Sequence, residues 1–160
     1  MMAQDTTALR VAGSTAASGS AAAVERRANI FGMTQQAEVA VLRPRDCGRW
    51  PHGLRAAMAA RIAALNGEPE LAGHYRTDAG DYAALADPSV DGSGQGLAEV
   101  MAFMDKVAVE TRDVSAPDIA SLQAAGIGDA DIVRLCELNA FLAYQLRVIA
   151  GLRVLNEVYA

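Results

Sequence analysis

The chain has 160 residues, of which 52% are hydrophobic and 21% charged, enough apolar material to bury a core. A formal net charge of −5 leaves no basic excess to neutralise phosphates or anionic lipid, which argues against nucleic-acid binding and against a membrane surface. No continuous apolar run approaches the ~18 residues that suggest a membrane span. Cys47 and Cys136 lie far apart and form neither a C-x-x-C pair nor a metal-spaced set, so both read as reduced thiols in or near a core. No signal peptide is expected, since no apolar stretch follows the basic Arg10, and the cytoplasm follows by default.

Abundant alanine with 5% aromatics favours close-packed helices over sheet. Residues 1–20, rich in Ala, Ser, Thr and Gly, read as a flexible tail ahead of a single domain over 21–160. The first helical segment is expected from Ala21 to about Leu42 with a break near Gly32, before Pro44 and Cys47-Gly48-Arg49-Trp50-Pro51 interrupt the pattern. Leu54, Met58, Ile62 and Leu65 then recur at helical spacing, Gly67 is a stop, and Pro69 suits the first turn of the next helix. That helix carries Glu70 and His74 and is drawn as far as Tyr82. Asp87 to Gly96 is a loop by composition, of a length that suits a lid or linker, and it lacks the lysine and preceding strand of a phosphate-binding loop.

Leu97 to about Thr111 is expected as a helix burying Leu97, Val100, Met101, Met104 and Val107 or Ala108. Ser115 and Asp118 flank Pro117 as a near capping box for a short helix ending at Gly126. Asp129 caps the longest helix, with Ile132, Leu135, Cys136, Leu142, Leu146 and Ile149 in period. The fold class is all-α, a bundle of about six or seven helices.

The stretch Leu65-Asn66-Gly67-Glu68-Pro69-Glu70-Leu71-Ala72-Gly73-His74, with the helical run before it, resembles the active-site segment of the carboxymuconolactone decarboxylase and alkylhydroperoxidase-D family. In the peroxidase branch that segment reads Asn-Gly-Cys-x-x-Cys-x-x-His. Glu68 stands here at the first cysteine position, Leu71 at the second and His74 at the histidine, so the thiol pair that would attack a peroxide and resolve the sulfenic acid is missing. Counting back to the relay glutamate of that branch lands on Ala56. A second region, Ser115 to Leu155, resembles the C-terminal half of the same family, and together the two cover about two-thirds of the chain. The resemblance implies an alkylhydroperoxidase-D-like helical bundle that assembles as a homo-oligomer, a dimer or a ring of several chains, in a cysteine-less branch related to peroxidase-like proteins.

The decarboxylase branch also lacks the cysteines and keeps Glu-Leu-x-x-His, which Glu70-Leu71-Ala72-Gly73-His74 resembles. His74, Glu70 and Glu68 are therefore the candidate catalytic residues, His74 as a proton shuttle near neutral pH with Glu70 one turn before it. The bland alternative is a surface Glu–His pair. Arg147, among apolar neighbours, is a candidate clamp for a substrate carboxylate or else a structural ion pair; Arg61 is a second candidate or part of a solvated face. Trp50 lines a pocket mouth or anchors packing. Glu68, Glu70, His74 and His52 fall short of a metal site, and neither metal nor cofactor is expected. Three functions follow: non-redox acid/base chemistry on a small carboxylated or lactone-like substrate; a non-catalytic ligand-binding or partner subunit of a peroxidase-like relative; or residual thiol peroxidase activity through Cys47.

Overall fold

The computed structural model describes residues 5–159. Among these no strand occurs. The α-helices are α1 (Thr7–Val11), α2 (Ala21–Arg26), α3 (Ala28–Leu42), α4 (His52–Leu65), α5 (Pro69–Arg76), α6 (Ala98–Val109), α7 (Ala116–Ala124) and α8 (Asp129–Val158), with 3-10 turns at Gly80–Ala86, Ser93–Gln95 and Thr111–Asp113. The chain divides into two compact units: residues 41–142 form one, and the residues up to 40 with those from 143 onward form the other.

In the 41–142 unit α4 is the hub. Leu54, Met58 and Ile62 are buried as their spacing predicts, but so are Ala56, Ala57, Ala59, Ala60 and Ala63, so the helix is enclosed nearly all round. Its alanines let α5, the Gly80–Ala86 turn and α6 approach closely. The helix ends in a Schellman motif: the Glu68 N–H donates to Ala63 O at 2.9 Å and the Gly67 N–H to Ala64 O at 3.1 Å, with Gly67 at φ +73°. Pro69 then opens α5 at its first position. One boundary and one buried face differ from the sequence reading. α5 stops at Arg76, leaving Tyr82 on the separate 3-10 turn, and α6 buries Phe103 beside Val100, Met101 and Met104, while Val107 and Ala108 are half-buried. The Ser115–Asp118 cap forms, the Asp118 carboxylate accepting the Ser115 N–H at 2.7 Å.

The other unit corrects the N-terminal reading. Residues 5–20 are not a bare tail: Thr6 caps α1, and Ala8, Leu9, Val11 and Ser20 are buried. Residues 1–4 of the expected tail lie outside the described residues. The small polar residues that suggested mobility serve as caps and anchors instead. Asn156 accepts the Ser20 N–H at 3.1 Å and donates to Ala12 O at 3.2 Å, and Arg153 donates to Val11 O. The buried Glu38 carboxylate collects Thr7 Oγ1 at 2.8 Å, Gln35 Nε2 at 3.1 Å and Gln145 Nε2 at 2.7 Å. The helical break comes at Arg27, between α2 and α3; Gly32 lies inside α3.

One expectation about membranes is also revised. By length and composition α8 is long and apolar enough to cross a bilayer: it has 30 residues, with an 18-residue window of mean hydropathy 1.2. The sequence reading missed this because isolated charges interrupt every apolar run. Ile132, Leu135, Leu138, Leu142, Ile149 and Leu152 are buried along it, and a core helix passes the same test. Cys47 and Cys136 are free and half-buried, and burial pushes the Cys136 thiol pKa up.

Candidate functional site

α5 presents three faces, and the sequence divides its work among them. Leu71 and Tyr75, four apart, are buried in the core. Leu71, which stands where the resemblance would put a second thiol, is therefore a packing residue. Glu70 and His74 share a second face. Glu70 is exposed and His74 half-buried, its ring 5.0 Å from that of Tyr75 at an interplanar angle of 52°. Glu68, at the first thiol position, is half-buried, and its side chain does not cap α5.

The third face carries Pro69, Ala72, Gly73 and Arg76, and it opens on a surface groove of about 490 Å³. Ala60 and Ala64 of α4 form the opposite side, and Ala86, Asp87 and Pro88 complete the wall. The lining is small and apolar apart from Arg76 and Asp87. Asp87 accepts the Ser89 N–H at 2.9 Å and the Ser89 hydroxyl at 2.8 Å, and these bonds, with Arg76 and Arg61 nearby, hold its pKa below the usual carboxylate range. Glu70 and His74 do not line this groove.

A buried arginine fixes the groove wall. Arg61 of α4 is 2% exposed. It donates to both Asp105 carboxylate oxygens, at 2.5 and 2.7 Å, and to the carbonyls of Leu85, Asp87, Pro88 and Val90 at 2.7–3.2 Å. A guanidinium has five N–H donors, and these contacts use them all. Arg61 is thus neither an anion clamp nor part of a solvated face; it is the staple of the 85–90 segment.

The remaining predicted residues separate. Trp50 is buried, its indole N–H donating to Asp131 O at 2.8 Å, which makes it a packing anchor; it meets the floor of a second cavity of about 270 Å³ bordered by Ser93, Leu97 and Ile127. Arg147 is exposed on α8 and donates to Ala143 O, one turn back, at 2.8 Å, so the ion-pair expectation gives way to a bond within its own helix. It belongs to the other unit. His52 is exposed at the start of α4, with Nε2 3.0 Å from Pro44 O. Ala56 is buried and offers no titratable group. Among the described residues no group of three or more His, Cys, Asp or Glu could hold a metal ion.

Arg76 is the residue that sequence reasoning missed. Its signal lies in the spacing of Pro69, Ala72, Gly73 and Arg76, a small-residue face ending in a cation. No family model, curated protein or solved structure matches the chain.

Proposed function

We propose that this chain is an alkylhydroperoxidase-D-like protein lacking the C-x-x-C pair, and that it binds a small carboxylated molecule without transforming it. The ligand's apolar body lies along Ala60, Ala64 and Ala72, and its carboxylate meets Arg76. The observation that carries this reading is the position of the groove, which opens on the Pro69–Arg76 face of α5 and leaves Glu70 and His74 outside it. Arg147 and Trp50 have no part in it. A guanidinium at the rim of an apolar groove suits a carboxylate, since one planar fork can donate two parallel bonds while the groove excludes water from the rest of the ligand. Two free cysteines suit a reducing cytoplasmic setting.

The competing reading, acid/base chemistry through His74, draws on that ring's half-burial beside Tyr75. Calorimetric titration with hexanoate separates the two. Binding is expected for the native chain, to weaken about tenfold or more in Arg76→Ala, and to vanish in Ala72→Phe, which fills the groove. His74→Ala should bind as the native chain does. Turnover of a carboxylated or lactone substrate that disappears in His74→Ala would reverse the assignment.

A further inference from the structure

The groove wall carries a charge that a plain carboxylate ligand leaves unsatisfied. Arg76, the last residue of α5, and Asp87, on the facing wall, both line the groove. Among the described residues they form no ion pair with each other, and the Arg76 guanidinium makes no hydrogen bond. Asp87 is positioned without being neutralised. Ser89 places both of its bonds on Oδ1, the amide at 2.9 Å and the hydroxyl at 2.8 Å, which leaves Oδ2 for another donor. Behind the side chain, Arg61 holds the Asp87 carbonyl at 2.7 Å. The Ser89 bonds lower the carboxyl pKa, the nearby Arg76 charge adds to them, and the group is an anion at neutral pH. A ligand carboxylate on Arg76 is therefore close to a second carboxylate, and like charges so placed repel.

We infer that the groove takes a free α-amino acid with an apolar side chain, its carboxylate on Arg76 and its ammonium on Asp87. This rests on the carboxylate reading above and narrows it. An α-amino acid joins a carboxylate, an ammonium and an apolar chain at one carbon. The groove brings together a cation, an anion and the small apolar surface of Ala60, Ala64 and Ala72. With the ammonium in place, the repulsion between ligand and Asp87 becomes an attraction. Other ligands match one charge and conflict with the other: a simple carboxylate meets Asp87 as a like charge, and a simple amine meets Arg76. A peptide terminus supplies one of the two groups and lacks its complement. Asp87 is exposed, so solvent screens the added attraction and the gain in affinity is a small factor. Selectivity gains more than affinity, because the same carboxylate that favours the amino acid disfavours its competitor.

Calorimetric titration of the full chain with matched compounds tests it. L-Norleucine is hexanoate with an α-ammonium, and pentylamine is norleucine without its carboxylate. The native chain is expected to bind norleucine at least about threefold more tightly than hexanoate, and pentylamine weakest of all. Asp87→Asn removes the charge while keeping a side-chain oxygen for Ser89. In that variant norleucine should weaken about threefold or more and hexanoate should tighten, so that the preference levels or inverts. Damage to the groove alone would weaken both ligands together, so the opposite signs report charge. Arg76→Ala should weaken both. Hexanoate binding with no preference for norleucine overturns the inference and leaves the carboxylate reading standing. Parallel changes of the two ligands in Asp87→Asn overturn it in the same way. A native chain that binds neither compound overturns both readings together.

Discussion

The segments on either side of α4 are each gathered by one buried arginine, yet the two arginines are neutralised differently. Before α4, Arg55 is 3% exposed and donates to the carbonyls of Trp50, Val41 and Cys47 at 2.8–3.0 Å. No carboxylate shares in this among the bonds described, and burial pulls its pKa down. After α4, Arg61 binds four carbonyls and the Asp105 carboxylate with both oxygens. Only the second segment forms a wall of the groove. A buried cation held by carbonyls alone organises a connection, whereas Arg61, bound to Asp105 as well, ties its connection to α6.

Breaking the stronger staple should have the largest effect. Arg61→Leu leaves Asp105 and the 85–90 carbonyls without their donors, and a loss of about 3–5 kcal/mol is expected in urea unfolding. Hexanoate binding should fall with it, because Ala86–Pro88 loses its anchor. Arg55→Leu strips three carbonyls but no carboxylate, so about 1–3 kcal/mol is expected, with hexanoate affinity unchanged in the folded fraction. A variant at Arg55 that abolished binding would erase the distinction between the two segments.

A smaller effect probes the first segment's packing. Gly48 has φ +55°, and a Cβ there would lie 2.4 Å from Asp131 Oδ1 and 2.7 Å from Arg134 Nη1. Gly48→Ala should cost about 1–2 kcal/mol and again spare the groove. The smallest effect is on pH dependence. Asp87 and Asp91, bonded to Ser89 and Ser93, have pKa values lowered by those bonds, so their contribution to stability is present above the unfolded-state value and is lost as pH falls through the lowered folded value. Amide protection in 87–96, taken relative to the intrinsic exchange rate at each pH, should therefore fall below about pH 4, and Asp87→Asn should blunt that response.

Much of this architecture was legible in the sequence. The period of Leu54, Met58 and Ile62, the Gly67–Pro69 junction and the Ser115–Asp118 cap rest on local rules, and all three appear where those rules put them. What escaped depends on partners distant in sequence. Nothing local to Arg61 announces Asp105, 44 residues away, or the carbonyls of 85–90, so a buried staple looked like a surface charge. Thr7 and Ser20 looked like a loose tail because their supports, Glu38 and Asn156, lie on other helices. At the candidate site Glu70 and His74 of α5 stood out by residue type, whereas the groove is lined by another face of that helix, Pro69, Ala72, Gly73 and Arg76.

The most direct measurement is an NMR titration of the isotopically labelled chain with hexanoate, following backbone amides and the histidine side chains. Progressive shifts confined to Gly67, Ala72, Gly73, Arg76 and the 86–88 wall, with His74 unmoved and Arg76→Ala unresponsive, are the result expected of a binding protein whose site is the groove. Shifts centred on Glu70 and the His74 ring, persisting in Arg76→Ala, would place the ligand on the other face of α5 and contradict the account.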